Sequence, residues 1–154
     1  MILISAMGSN RVIGSGAGMP WSVPEEYAQF LSFVRGQTVL FGRKSYEIFG
    51  ADLEDARIVI VSRSMPDPGR PGVQVCGDLE QAITAARATG RTVYSAGGAT
   101  IYQQTMPHAE AMYLSTIKGD WSGDAYFPEF DESEWRVTRE EDHPAFVFRI
   151  HERR

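Results

Sequence analysis

Runs of β-branched and apolar residues recur along the chain, separated by stretches with helical spacing. Met1–Met7, Thr38–Phe41, Arg57–Ser62 and Thr92–Ala96 are nearly continuous apolar runs, the pattern of strands buried on both faces of a parallel sheet. Pro24–Val34, Lys44–Phe49, Asp78–Ala88 and Ala99–Thr105 have the apolar spacing of helices. Strand alternating with helix predicts an α/β fold, with a mixed, mostly parallel sheet flanked by helices. The last third changes character. Glu110–Ile117, Glu134–Arg139 and Ala145–His151 are strand-like with no helix between them, which predicts antiparallel C-terminal strands. Lys118–Ser133 holds five acidic residues with Gly123 and Pro128 and lacks the spacing of a calcium loop, so it is read as a solvated connection. No repeat or break in composition marks a second domain, and residues 1–154 are read as one.

Charge narrows the range of partners. Fifteen Lys and Arg against twenty Asp and Glu give a net charge of −5, which argues against nucleic acid or an anionic membrane as a partner. An anionic ligand must then meet a local cluster of cations. The single Cys76 excludes a disulfide framework, and no Cys and His grouping has zinc spacing. The apolar runs fall short of the about 20 residues that a membrane span needs. Met1 leads straight into a strand-like run with no basic leader or cleavage site. The expectation is a cytoplasmic, unprocessed, monomeric protein without a metal.

Candidate chemistry gathers at two strand ends. Gly42 follows one predicted strand and opens the helical Arg43-Lys44-Ser45, while Gly97-Gly98-Ala99-Thr100 follows another and opens Ile101-Tyr102. Adjacent glycines let a backbone approach a ligand closely. Both junctions fall at the carboxyl edge of a parallel sheet, where ligands of open α/β sheets bind. A third strand delivers Arg63 to that edge, so Arg43, Lys44 and Arg63 form a basic cluster suited to a phosphorylated ribose. Gly14-Ser15-Gly16-Ala17-Gly18 lacks the G-x-G-x-x-G spacing and runs into Met19-Pro20-Trp21 rather than a helix. It is read instead as a loop that closes over a ligand, with Trp21 packed against the protein.

One carboxylate lies on an apolar helix face. Pro24 suits the first helical position. Glu26 then falls four residues before Phe30 and seven before Phe33, on the stripe that carries Tyr27, Phe30, Phe33 and Val34, whereas Glu25 shares a face with Gln29 and Ser32. An inward Glu in a first turn can serve as a helix-dipole partner. In an apolar pocket it can also hydrogen-bond an amidine-like N–H pair or transfer a proton with a raised pKa. No nucleophile elbow or Walker A motif occurs, and His108, His143 and His151 are read as surface or strand histidines.

The motifs Val12-Ile13-Gly14, Met19-Pro20-Trp21 with Pro24, Glu26 and Phe30 behind it, and Phe41-Gly42-Arg43-Lys44-Ser45-Tyr46-Glu47 occur in that order. They are followed by Ile58-Val59-Ile60-Val61-Ser62-Arg63, Ala96-Gly97-Gly98-Ala99-Thr100-Ile101-Tyr102, Tyr113-Leu114-Ser115 and Phe127-Pro128. Together, in order and spacing, they resemble dihydrofolate reductase over essentially the whole chain. The resemblance implies hydride transfer from NADPH to C6 of a dihydropterin, with protonation at N5. It assigns Glu26 to the pterin amino group and ring N–H, Ser115 to a hydroxyl bridging that carboxylate, and Trp21 to ordering water above the pterin. Met19 falls in the loop closing over the nicotinamide. Ile4, Ala6, Tyr27, Phe30, Phe49, Leu53 and Ala96 are assigned to the substrate cleft. Gly97-Gly98 matches a usually cis peptide beside the cofactor, and Tyr102 sits next to the nicotinamide. Arg43, Lys44, Ser45 and Arg63 match the region holding the 2′-phosphate, while Ala6, Ile13, Gly14, Gly42, Ser62, Ala99, Thr100 and Ile101 complete the cofactor-binding set.

The family pattern is broken in places. Its arginine for the substrate's glutamate tail corresponds to Ala56, with Arg57 one residue along and so on the other strand face. Leu31 stands where an auxiliary cation is common, and Ala96 replaces a branched aliphatic. These departures imply weakened or altered recognition of the tail. They leave open a related NADPH reductase of a tail-less pterin or a pyrimidine intermediate, and a nucleotide-binding domain without catalysis.

Overall fold

The computed structural model describes residues 1–14 and 18–154. Ser15–Ala17, the centre of the glycine-rich loop, lie outside the described residues. The elements run β1 (Ile2–Gly8), β2 (Val12–Gly14), α1 (Pro24–Val34), β3 (Thr38–Gly42), α2 (Arg43–Phe49), β4 (Arg57–Val61) and β5 (Val73–Cys76). They continue as α3 (Leu79–Arg87), β6 (Val93–Ser95), α4 (Ala99–Thr105), β7 (Ala111–Ile117), β8 (Ala125–Tyr126), β9 (Trp135–Asp142) and β10 (Phe146–Arg153).

Among the described residues, eight strands form one sheet in the order β5-β4-β3-β6-β1-β7-β10-β9. Pairing is parallel from β5 through β7, and β10 is antiparallel to both β7 and β9. The expected antiparallel finish is the run β7-β10-β9, in which each strand is antiparallel to its neighbour, and β7 is in addition parallel to β1 from Ile2↔Ala111 to Gly8↔Ile117. The α4 crossover returns the chain to the same end of the sheet before β7 begins, and a crossover of that kind joins parallel strands. Reversal comes only with β10. The short strands β2, β5 and β8 escape periodicity, since two to four residues give too few repeats to recognise.

The helices divide between the two faces. α1 and α2 cover the side where Ile4, Val39, Phe41, Ile58 and Ile60 are buried with Phe30 and Phe49. α3 packs on the opposite face with Leu40, Val59 and Ile101, and Tyr102 of α4 packs with Leu3, Met112 and Leu114. The split follows from strand alternation, which sends neighbouring apolar residues to opposite faces. Pro24 occupies the first turn of α1, and Asp78 caps α3 by accepting from the Gln81 N–H at 2.8 Å. No helix among the described residues is long and apolar enough to cross a membrane.

Candidate active site

A cleft opens where β1 and β3 part. The short β6 lies between them, with Ser95 paired to both Leu3 and Leu40. Beyond it the chain turns at a cis Gly97–Gly98 peptide, while β1 continues to Gly8 as one wall. The two glycine junctions meet directly, because the Gly42 N–H donates to the Gly97 carbonyl at 2.9 Å. Gly97 has φ +106, and a Cβ there would lie 3.3 Å from both the Ser45 hydroxyl and the Tyr102 ring. Only glycine fits that backbone at that separation.

Ile4, Ala6, Met19, Glu26, Tyr27, Phe30, Phe49 and Ala96 line this cleft together with Ile13, Gly14, Lys44, Ser45, Gly97, Gly98, Ala99 and Tyr102. Other sequence candidates sit behind or beside it. Trp21 is buried among Val12, Ile117, Phe146 and Phe148, and its ring meets that of Trp121 edge-on at 5.8 Å. Ser115 is 2% exposed and pairs with Ala6 in the β1–β7 register. Leu53 lies beside the cleft rather than in its wall. It is buried in the core and lines an adjoining groove instead, because the Gly50–Asp52 turn that follows α2 carries the chain out of the cleft. Ile101 is buried in the core on the α3 face. Arg43, Lys44, Arg63 and Thr100 are exposed, with Arg43 3.5 Å from Glu47. The Ser62 hydroxyl accepts from the Ser64 and Met65 N–H groups, which occupies it in a turn.

Glu26 is 8% exposed in an otherwise apolar wall. Burial pushes its carboxyl up to about 7, and a hydrogen bond with Ser115 pulls the other way. Glu25, one residue earlier, is exposed and lies 3.1 Å from His143 Nδ1. Tyr102 is likewise buried and donates to the Ile4 carbonyl at 2.6 Å. Burial raises its phenol, a hydrogen bond with Ser5 opposes the shift, and the charge of Glu26 adds to it. Tyr27, Phe30 and Phe49 form an aromatic triplet with centroid separations of 6.0, 6.0 and 5.7 Å, which shields one side from water. A largely apolar cleft holding one carboxyl near neutrality can bind a planar N–H donor pair and hold a proton beside it.

Four cleft residues were not apparent in the sequence. Ser5 alternates onto the strand face opposite Ile4 and Ala6, where it meets Tyr102. Asp124 and Ala125 arrive from the distant acidic connection, held by the β2–β8 pair and by an Asp124 N–H bond to the Gly14 carbonyl at 3.0 Å. Ile48 had a faint signal, as an apolar residue on α2 that remains 39% exposed. The two tail-site departures are also placed. Ala56 is buried on the α1 side, and Arg57 is exposed toward the α3 side with Ala85 and Thr89.

Comparison with known proteins agrees with this arrangement. A family model described as dihydrofolate reductase matches residues 1–149. Dihydrofolate reductase type A13 of Escherichia coli is 34% identical over 139 residues, covering 90% of this chain and 84% of that protein. Dihydrofolate reductase of Bacillus subtilis is 33% identical over 138 residues, with 90% and 81% covered. Among solved structures, dihydrofolate reductase from Enterococcus faecalis, complexed with NADP(H) and RAB-propyl, superposes with a TM-score of 0.83. The two are 23% identical, with 99% of this chain and 95% of that one covered.

Proposed function

The chain belongs to the dihydrofolate reductase family, and from that premise we propose that it uses NADPH to reduce 7,8-dihydrofolate to 5,6,7,8-tetrahydrofolate. Hydride goes to C6 and a proton to N5. The single observation that carries this reading is Glu26, a buried carboxyl pushed up to about 7 in an apolar cleft beside two touching glycine junctions.

The residues present fit the cofactor. A Cβ at Gly97 would fill the space between Ser45 and Tyr102, whereas Gly98 faces open space. Exposed Arg43, Lys44 and Arg63 gather positive charge at one edge of a chain whose net charge is −5, which suits a 2′-phosphate and favours NADPH over NADH. Bound NADPH supplies the hydride. The chain does the rest. Ile13, Gly14, Met19, Ala99 and Tyr102 would hold the nicotinamide, and Tyr27, Phe30 and Phe49 would hold the pterin against it. Glu26 binds the pterin amino group and ring N–H and keeps a proton available near neutral pH, with Ser115 orienting it and Trp21 ordering water above the pterin.

Recognition of the glutamate tail is weakened, in this reading, by Ala56 and Leu31. Losing a charge-assisted bidentate contact costs roughly 1.5–3 kcal/mol, about ten- to a hundredfold in affinity. The same two residues favour a second reading, a tail-less pterin or pyrimidine intermediate as the preferred substrate. A cytoplasmic monomer without nucleic-acid or membrane partners completes the proposal. Following NADPH oxidation with dihydrofolate, dihydropteroate and dihydrobiopterin in parallel tests it. Turnover of dihydrofolate supports the first reading, turnover confined to the tail-less pterins supports the second, and none on all three sinks the first.

A further inference from the structure

The cleft is bounded along α1 and the Gly50–Ala56 segment by a groove. Leu31 and Arg35 line one side, and Asp52, Glu54, Asp55 and Ala56 the other. Tyr27 belongs to the cleft and Asp52 to the groove, and the Tyr27 hydroxyl donates to the Asp52 carboxylate across the boundary. Burial raises the Tyr27 phenol well above its ordinary value, with the hydrogen bond to Asp52 adding to the shift, so the donor stays protonated.

The groove's charges do not balance. Three carboxylates stand against one guanidinium, and Arg35 Nε already lies 3.4 Å from Asp55. Of the two other arginines of the region only Arg70 brings a cation to this segment, and the three carboxylates remain in excess of the two guanidiniums. Arg57 lies toward the α3 side, and Arg70 donates to the carbonyls of Gly50 and Leu53 at 2.6 and 3.3 Å. A substituent leaving the cleft between α1 and this segment therefore passes an anionic exit. Like charges there repel over a screening length of about 8 Å at physiological ionic strength.

We infer that Asp52, held at the boundary by Tyr27, is a specificity-determining residue that turns the site against dihydropterins with an anionic tail and toward those with a neutral or cationic C6 substituent. The inference rests on the pterin-reductase reading above and adds the substrate class that this exit selects.

The test compares kcat/KM for dihydrofolate, whose tail is dianionic, with that for dihydrobiopterin, whose side chain is neutral, using NADPH and the full chain. Asp52→Asn keeps an acceptor for Tyr27 and removes the charge. It is expected to raise the dihydrofolate-to-dihydrobiopterin ratio by roughly fivefold, through KM rather than kcat, as loss of one partly screened unit charge implies. Added salt should raise the same ratio in the unaltered protein and much less in the variant. Tyr27→Phe retains the charge and should retain the salt dependence. A ratio unmoved by Asp52→Asn and by salt, in a protein that turns over both substrates, overturns the role of Asp52 alone. Failure of the unaltered protein to turn over either substrate overturns the reading beneath it.

Discussion

The hydroxyl of Tyr102 donates to the carbonyl of Ile4 across 2.6 Å, tying α4 to β1 at the point where the cleft begins. Both partners are buried, so removing the donor strands a carbonyl that has no water to turn to. Tyr102→Phe is expected to destabilise the fold by about 1–3 kcal/mol in chemical denaturation and to lower kcat more than it raises KM for dihydrofolate. A variant as stable as the parent would mean that the bond is not maintained in solution.

Glu26 and Glu25 are adjacent in sequence but lie in opposite environments. Glu26→Gln is expected to lower kcat/KM by about a hundredfold near pH 7, with a smaller loss at pH 5, where solvent supplies protons. The unaltered enzyme's kcat/KM should decline as pH rises through about 7, the value to which burial pushes Glu26, and the variant should lack that inflection. Glu25, exposed against His143, should tolerate Gln within about twofold. Equal losses in the two variants would assign the wrong carboxylate.

The same burial predicts a stability profile. The folded value of Glu26, about 7, lies above its ordinary 4.5, so the native state binds the extra proton between these values and stability falls as pH rises through that window. Above about 7 the penalty is complete, on the order of 3 kcal/mol. Glu26→Gln removes this slope, and the variant should melt higher than the parent at pH 8 and close to it at pH 4.5. Parallel melting curves across the range would contradict the buried, neutral carboxyl.

Gly97 has a positive φ and almost no room for a side chain, whereas a Cβ at Gly98 would meet nothing within 4 Å. Gly97→Ala is expected to cost roughly 1–3 kcal/mol and to raise KM for NADPH by displacing Tyr102 or Ser45. Thermal melting of the two alanine variants checks this, and a Gly98→Ala variant that is the less stable of the pair would count against it.

Much of this fold is legible in local pattern. The apolar stripe of Pro24–Val34 and the run Ala99–Thr105 mark α1 and α4 to the residue, because a helix repeats within its own segment. The inward placement of Glu26 follows from the same spacing. The strands Val73–Cys76 and Ala125–Tyr126 are not legible, since they are strands by virtue of their neighbours: Ile58↔Val73 in one case and Val12↔Tyr126 in the other. Nor does any local signal announce Ser5, Asp124 or Ala125 as cleft residues, and Ile48 carries only a faint one.

By itself, then, the sequence determined the α/β alternation, the two glycine junctions, the carboxylate that faces inward and the family motifs, all properties of a segment's own periodicity or composition. Tertiary structure alone decided that the junctions touch through Gly42 and Gly97, that β7 is parallel, and that Asp52 stands opposite Tyr27 at the mouth of the cleft. It also raised the Glu26 carboxyl to about 7. The physical reason is common to all four. Each depends on contacts between residues far apart in the chain and on the water those contacts exclude, and neither quantity exists until the chain has folded.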